Sequence, residues 1–87
     1  EKVVPPSKYK VIIWNDDYTY APDVVMILRE VFYKSEAEAR YLTDAVHNTG
    51  KGIAGVYSRE VAEMKLIQAM DWARKLSHPL LVTMEEE

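Results

Sequence analysis

No cysteine occurs among the 87 residues of this chain. That excludes a disulfide framework, thiolate chemistry and a zinc–thiolate site, so the fold must stand on packing alone. No apolar run approaches the ~20 residues that cross a bilayer as a helix. Basic side chains are not in excess: 11 Lys and Arg stand against 14 Asp and Glu, a net charge of −3. Nucleic acid as a partner usually needs a basic face, which this balance argues against. A positively charged ligand, or a partner with a basic patch, fits it better. Glycine is scarce, at three residues, and forms no glycine-rich phosphate loop. A His/Cys metal pattern and a serine-centred nucleophile motif are also missing. No metal and no cofactor is therefore expected.

What is present is the composition of an ordinary globular domain, 48% apolar and 29% charged. A chain of this length buries roughly 60–65% of the surface its unfolded form exposes, enough for one core. Residues 1–8, with Pro5-Pro6, read as an extended lead-in, because proline removes backbone donors and fixes φ. Tyr9 to Trp14 is β-branched and aromatic, and its near-continuous apolarity predicts a central strand. Asn15-Asp16-Asp17 ends it, since short polar side chains bond to nearby backbone in turns.

Thr19 is placed to cap the first helix, and Pro22 is tolerable in its first turn. Val24, Ile27, Leu28 and Val31 recur at helical spacing, carrying that helix to about Phe32 or Tyr33. Ser35-Glu36-Ala37-Glu38 fits a capping box for a second helix. Ala39, Leu42, Ala45 and Val46 form one side of that helix, and Gly50 is a left-handed stop for it. Gly52 to Tyr57 is a short strand whose glycines let another backbone come close. Ser58 caps a third helix, running to about Leu76 with Val61, Ala62, Leu66, Ala69, Met70 and Ala73 on its inner side. His78-Pro79 breaks this helix, and His78 is assigned no chemistry. Leu80 to Met84 is a third strand, and Glu85 to Glu87 a solvated tail. The order β-α-α-β-α-β predicts a single small α+β domain, a three-stranded sheet packed with three helices.

Three places carry polar groups of interest. Asn15, Asp16 and Asp17 form either a capping turn or a site for a cation or amine. Two carboxylates and a carbonyl oxygen can accept several bonds from one ammonium. A hard metal cation would need several more ligands from elsewhere. His47, on the last turn of the second helix, is either a capping residue or a neutral ring that accepts a bond from an amine. Glu60, Glu63, Lys65 and Arg74 on the third helix are either a solvated face or a docking surface. An enzyme reading would make Asp16 or Asp17 a general base with His47 beside it, but no nucleophile accompanies them.

Several motifs together resemble one family. They are Pro5-Pro6, Tyr9-Lys10-Val11-Ile12, Asn15-Asp16-Asp17-Tyr18-Thr19, Ala45-Val46-His47 and Gly50-Lys51 in the first part of the chain. Gly55-Val56-Tyr57, Glu60-Val61-Ala62-Glu63, Lys65 and His78-Pro79-Leu80-Leu81 follow. In this order they resemble ClpS, the adaptors that hand N-degron substrates to the Clp protease, over nearly the whole chain. The resemblance implies a core domain over residues 9–85 that binds the first residue of a substrate and is not an enzyme.

On this resemblance, Asn15, Asp16, Asp17 and His47 hold the free α-ammonium. Ile13, Thr19, Ala21, Val24, Thr43, Val46 and Leu80 form an apolar pocket for a first side chain of the Phe, Tyr, Trp or Leu class. Glu60 and Lys65 match the surface that docks on the N-terminal domain of the unfoldase ClpA or ClpC. The implied location is the bacterial cytoplasm, or the plastid stroma of a photosynthetic eukaryote. Three positions depart from the family: Ala21 and Thr43 stand where well-known members carry Met, and Trp14 where an aliphatic residue is usual. Smaller side chains predict a wider pocket, in which large aromatics are kept and Leu packs less well.

Overall fold

The computed structural model describes residues 6–87. Its elements are β1 (Lys8–Trp14), α1 (Ala21–Phe32), α2 (Glu36–Thr49), β2 (Lys51–Ser58), α3 (Arg59–Lys75) and β3 (Leu81–Glu86). This is the expected α+β order. The sheet is antiparallel throughout, with strand order β2-β1-β3, so β1 is the central strand. Residues 1–5 of the expected lead-in lie outside the described residues, and its last residue, Lys8, already pairs with Ser58 of β2.

Alternation along β1 decides which side chains meet the helices. Val11 and Ile13 point into the core with Ile27 and Leu28 of α1, and all four are fully buried. Between Val11 and Ile12 the β1–β2 register shifts: Val11 faces Gly55, Ile12 faces Ile53, and buried Ala54 is the extra residue of a bulge. Gly52 is required by packing. A Cβ there would stand 2.7 Å from Cγ2 of Val46 and 3.0 Å from Cδ1 of Leu42, so its absence lets α2 lie close on β2.

The start of α2 is the predicted capping box. Ser35 Oγ accepts from Glu38 N–H, and the Glu38 carboxylate accepts from Ser35 N–H. The helix ends at Gly50 with φ 98°. Four expectations need correction. Thr19 does not cap α1; the cap position is Tyr20, which makes no side-chain capping bond. Val61 and Met70 are each 39% exposed. The α3 residues that meet the core are Ala62, Leu66, Ala69, Trp72 and Ala73, and Val61 and Met70 are not among them. Glu85 and Glu86 are not a tail but the end of β3, opposite Lys10 and Tyr9. An ion pair of 3.2 Å between Lys10 Nζ and Glu85 Oε1, and a bond from Glu87 N–H to Lys8 C=O, carry the pairing past the apolar residues.

Candidate functional site

The end of β1 is fastened to the end of α2. Asn15 N–H donates to the carbonyl of Gly50 at 2.9 Å, and Gly50 N–H closes α2 on the Val46 carbonyl. This tie brings the polar turn after β1 beside the last turn of α2, which carries His47. Residues 35 positions apart in the chain thus share one edge, a proximity that no local pattern encodes.

At this edge lies a cavity of about 320 Å³. Asn15, Asp16, Asp17 and Thr19 of the β1–α1 connection line it, with His47 of α2. Its apolar walls are Ile13 of β1, Ala21 and Val24 of α1, Val46 of α2, and Leu80 just before β3. Thr43 completes the α2 wall, so every residue expected for the amine site and for the pocket reaches this one cavity. Trp14, noted in the sequence only as a departure from the family, lines it too, and so does Asp44, which was not singled out. Asp44 was legible in principle, since it stands three residues before His47 and next to Thr43. Trp14 is fixed by its indole N–H, which donates to Thr83 Oγ1 at 2.8 Å, and by Lys51, whose ammonium lies 5.0 Å from the ring centroid.

The two aspartates of the turn differ in what they do. Asp16 Oδ1 accepts from the N–H of Tyr18 at 2.8 Å and of Thr19 at 2.6 Å, while Oδ2 accepts from the Thr19 hydroxyl at 2.6 Å. Partial burial works to raise the Asp16 pKa. The bonds from the Thr19 hydroxyl and the two backbone N–H groups, with the nearby His78, outweigh it and hold the carboxyl below the usual aspartate range. Asp16 is therefore the residue that shapes the loop. Among the described residues, the side chains of Asn15, Asp17 and His47 have no hydrogen-bond partner, and all three are exposed. With Asp44, which also has no partner among the described residues, they are the polar groups of this cavity free to receive a ligand.

The walls are held by a contact that sequence reasoning missed. His78 Nε2 lies 2.6 Å from Asp23 Oδ2, joining the α3–β3 connection to the first turn of α1. Asp23 sits between the wall residues Ala21 and Val24, and His78 sits two residues before the wall residue Leu80. His78 is thus part of the frame of the cavity, not only the stop of a helix.

Glu60 and Lys65 do not reach the cavity. Glu60 is exposed in the first turn of α3. Lys65 is half-buried; its ammonium donates to the carbonyl of Val31 at 2.7 Å and lies 4.3 Å from the ring centroid of Tyr33. It satisfies a carbonyl at the C-terminal end of α1, where cationic groups are favoured.

Residues 4–83 match the family model for the ATP-dependent Clp protease adaptor protein ClpS. The chain is similar to the Clp protease adapter ClpS of Hydrogenovibrio crunogenus, 50% identical over 84 residues that cover 97% of this chain and 81% of that protein. It is also similar to the ClpS adapter of Herminiimonas arsenicoxydans, 46% identical over 86 residues, covering 99% and 84%. Among solved structures, Agrobacterium tumefaciens ClpS2 bound to L-phenylalaninamide superposes with a TM-score of 0.92. It is 36% identical, and the match covers 95% of this chain and 100% of that one.

Proposed function

Because this chain belongs to the ClpS family of Clp protease adaptors, we propose that it binds the first residue of N-degron substrates and delivers them to a Clp unfoldase. Asn15, Asp17 and His47 receive the free α-ammonium. Asp16 holds the loop that presents them, and the apolar walls take the first side chain. The observation that carries this reading is the single cavity in which partner-free polar groups at the turn meet Ile13, Val24, Val46 and Leu80. The ligand of Agrobacterium tumefaciens ClpS2 supports it. L-Phenylalaninamide has a free amino group and an aromatic side chain, and its amide stands in for the peptide bond to a second residue.

The energetics suit an adaptor. Burying an apolar side chain contributes roughly 1.5–3 kcal/mol. A bond between a charged donor and an acceptor adds a comparable amount where water is kept away. After the costs of association, a dissociation constant in the micromolar range, about −8 kcal/mol, follows. Binding of that strength is reversible, as transfer to a second protein demands. Selectivity for a chain terminus has the same origin: an internal peptide N–H is neutral, has one proton, and brings a preceding residue into the mouth.

Glu60 and Lys65 are the proposed contacts to the N-terminal domain of ClpA or ClpC, on a helix away from the cavity. Action in the cytoplasm belongs to the same reading; among the described residues, no helix is long and apolar enough to cross a membrane. With Ala21 and Thr43 as walls, aromatic first residues are preferred over Leu. Titration with peptides that differ only in residue one tests this. Phe, Tyr and Trp should bind more tightly than Leu, and Ala should fail. Equal affinity across the panel, or Leu tightest and Trp weakest, would overturn it.

A further inference from the structure

The cavity at the turn adjoins a second one. That second cavity, of about 410 Å³, runs between α1 and α2, and Ala21, Thr43 and Asp44 line both. The two cavities therefore meet at one methyl group, one threonine and one carboxylate, of which Ala21 and Asp44 are exposed and Thr43 is buried. Thr43 donates its hydroxyl to the Ala39 carbonyl of its own helix at 2.7 Å, so this polar group is already satisfied. In the second cavity, Arg40 and Arg29 both pair with Glu36, at 3.1 and 3.5 Å. Two guanidinium groups thus share one carboxylate, and Glu30 adds a second carboxylate to the lining. Asp44 has no ion-pair or hydrogen-bond partner among the described residues, and it stands at the junction.

We infer that the first-residue pocket is open-ended and selects a long first side chain whose far end carries a hydrogen-bond donor or a positive charge. The shaft of such a side chain passes between Ala21 and Thr43, and its tip meets the Asp44 carboxylate. Among aromatic residues this favours those with a donor at the far end, Tyr and Trp, over Phe. This rests on the reading that the cavity takes a substrate's first side chain. It goes beyond that reading by assigning the second cavity and Asp44 a role in choosing the substrate.

The probe is a peptide that begins with 4-(aminomethyl)phenylalanine, which is Phe with one more carbon and an ammonium at its tip. It is compared with the same peptide beginning with Phe, each in free and N-acetylated form. The expected result is that the extended residue binds about fivefold more tightly than Phe, the scale of a half-exposed ion pair. Asp44→Asn should remove that advantage, and so should Ala21→Met, which fills the opening. An extended residue that binds no better than Phe to the unmodified protein overturns the inference. So does an advantage that survives Asp44→Asn. Failure of the parent reading looks different: the free and acetylated Phe peptides would then bind equally, or neither would bind, and the inference falls with it.

Discussion

Asp16 and Asp17 are neighbours of the same type, yet they do unlike things. Asp16 accepts two backbone N–H bonds and the Thr19 hydroxyl, whereas Asp17 faces solvent at the cavity. Asp16→Ala should cost stability, about 1 kcal/mol for the bonds it gives up. The folded-state pKa of Asp16 lies below its unfolded value. Its contribution is therefore fully present above about pH 4 and is lost as pH falls through the lowered folded value. Urea unfolding between pH 5 and 2 should show a shallower acid loss in Asp16→Ala than in the native chain. Parallel curves would contradict the assignment. Asp17→Ala should leave the urea midpoint nearly unchanged and weaken binding of a free-amine peptide by about ten- to a hundredfold, the scale of one bond to a charged group. No pattern in the sequence separates the two aspartates, because the difference lies in where each carboxylate points.

At the scale of elements, packing carries the site. Gly52→Val should push α2 off β2, since its Cβ has no room beside Val46. The expected cost is roughly 1–3 kcal/mol, with weaker peptide binding because His47 moves with its helix. The His78–Asp23 pair is the matching device for the other wall. His78→Ala should loosen Leu80 against α1 and lower peptide affinity, while a swap of the pair, Asp23→His with His78→Asp, should recover part of it. Calorimetric titration of both variants checks this. Signals within a few residues were legible: the Ser35 capping box and the Gly50 stop stand where the sequence put them. The ties that assemble the site were not, because Asn15 to Gly50 and Asp23 to His78 join distant parts of the chain. The end of β3 was hidden for a related reason. A run of glutamates has low strand propensity, and only its pairing with β1 makes it a strand.

In the whole molecule, one small core supports two separate faces. The cavity lies where the end of β1 meets α1 and α2, while Glu60 lies on α3. An adaptor needs this separation, because substrate and unfoldase must be held together. Glu60→Ala should weaken binding to the unfoldase N-terminal domain and leave peptide affinity unaltered. Lys65, proposed for the same contact, also satisfies the Val31 carbonyl. Lys65→Ala should therefore lower the melting temperature as well, and co-purification alone would misread that loss as docking. The fold class and the order of elements were readable because periodicity and caps agree along the chain; the grouping of the expected cavity residues came from the family resemblance alone. The junction at Asp44 was not, because it exists only once two helices lie side by side. The central claim is that the cavity recognises a free chain end. Calorimetric titration of one peptide beginning with Phe, with and without an N-acetyl group, tests it most directly. Micromolar binding of the free peptide and no measurable binding of the acetylated one is the predicted result; equal affinity for the two would contradict it.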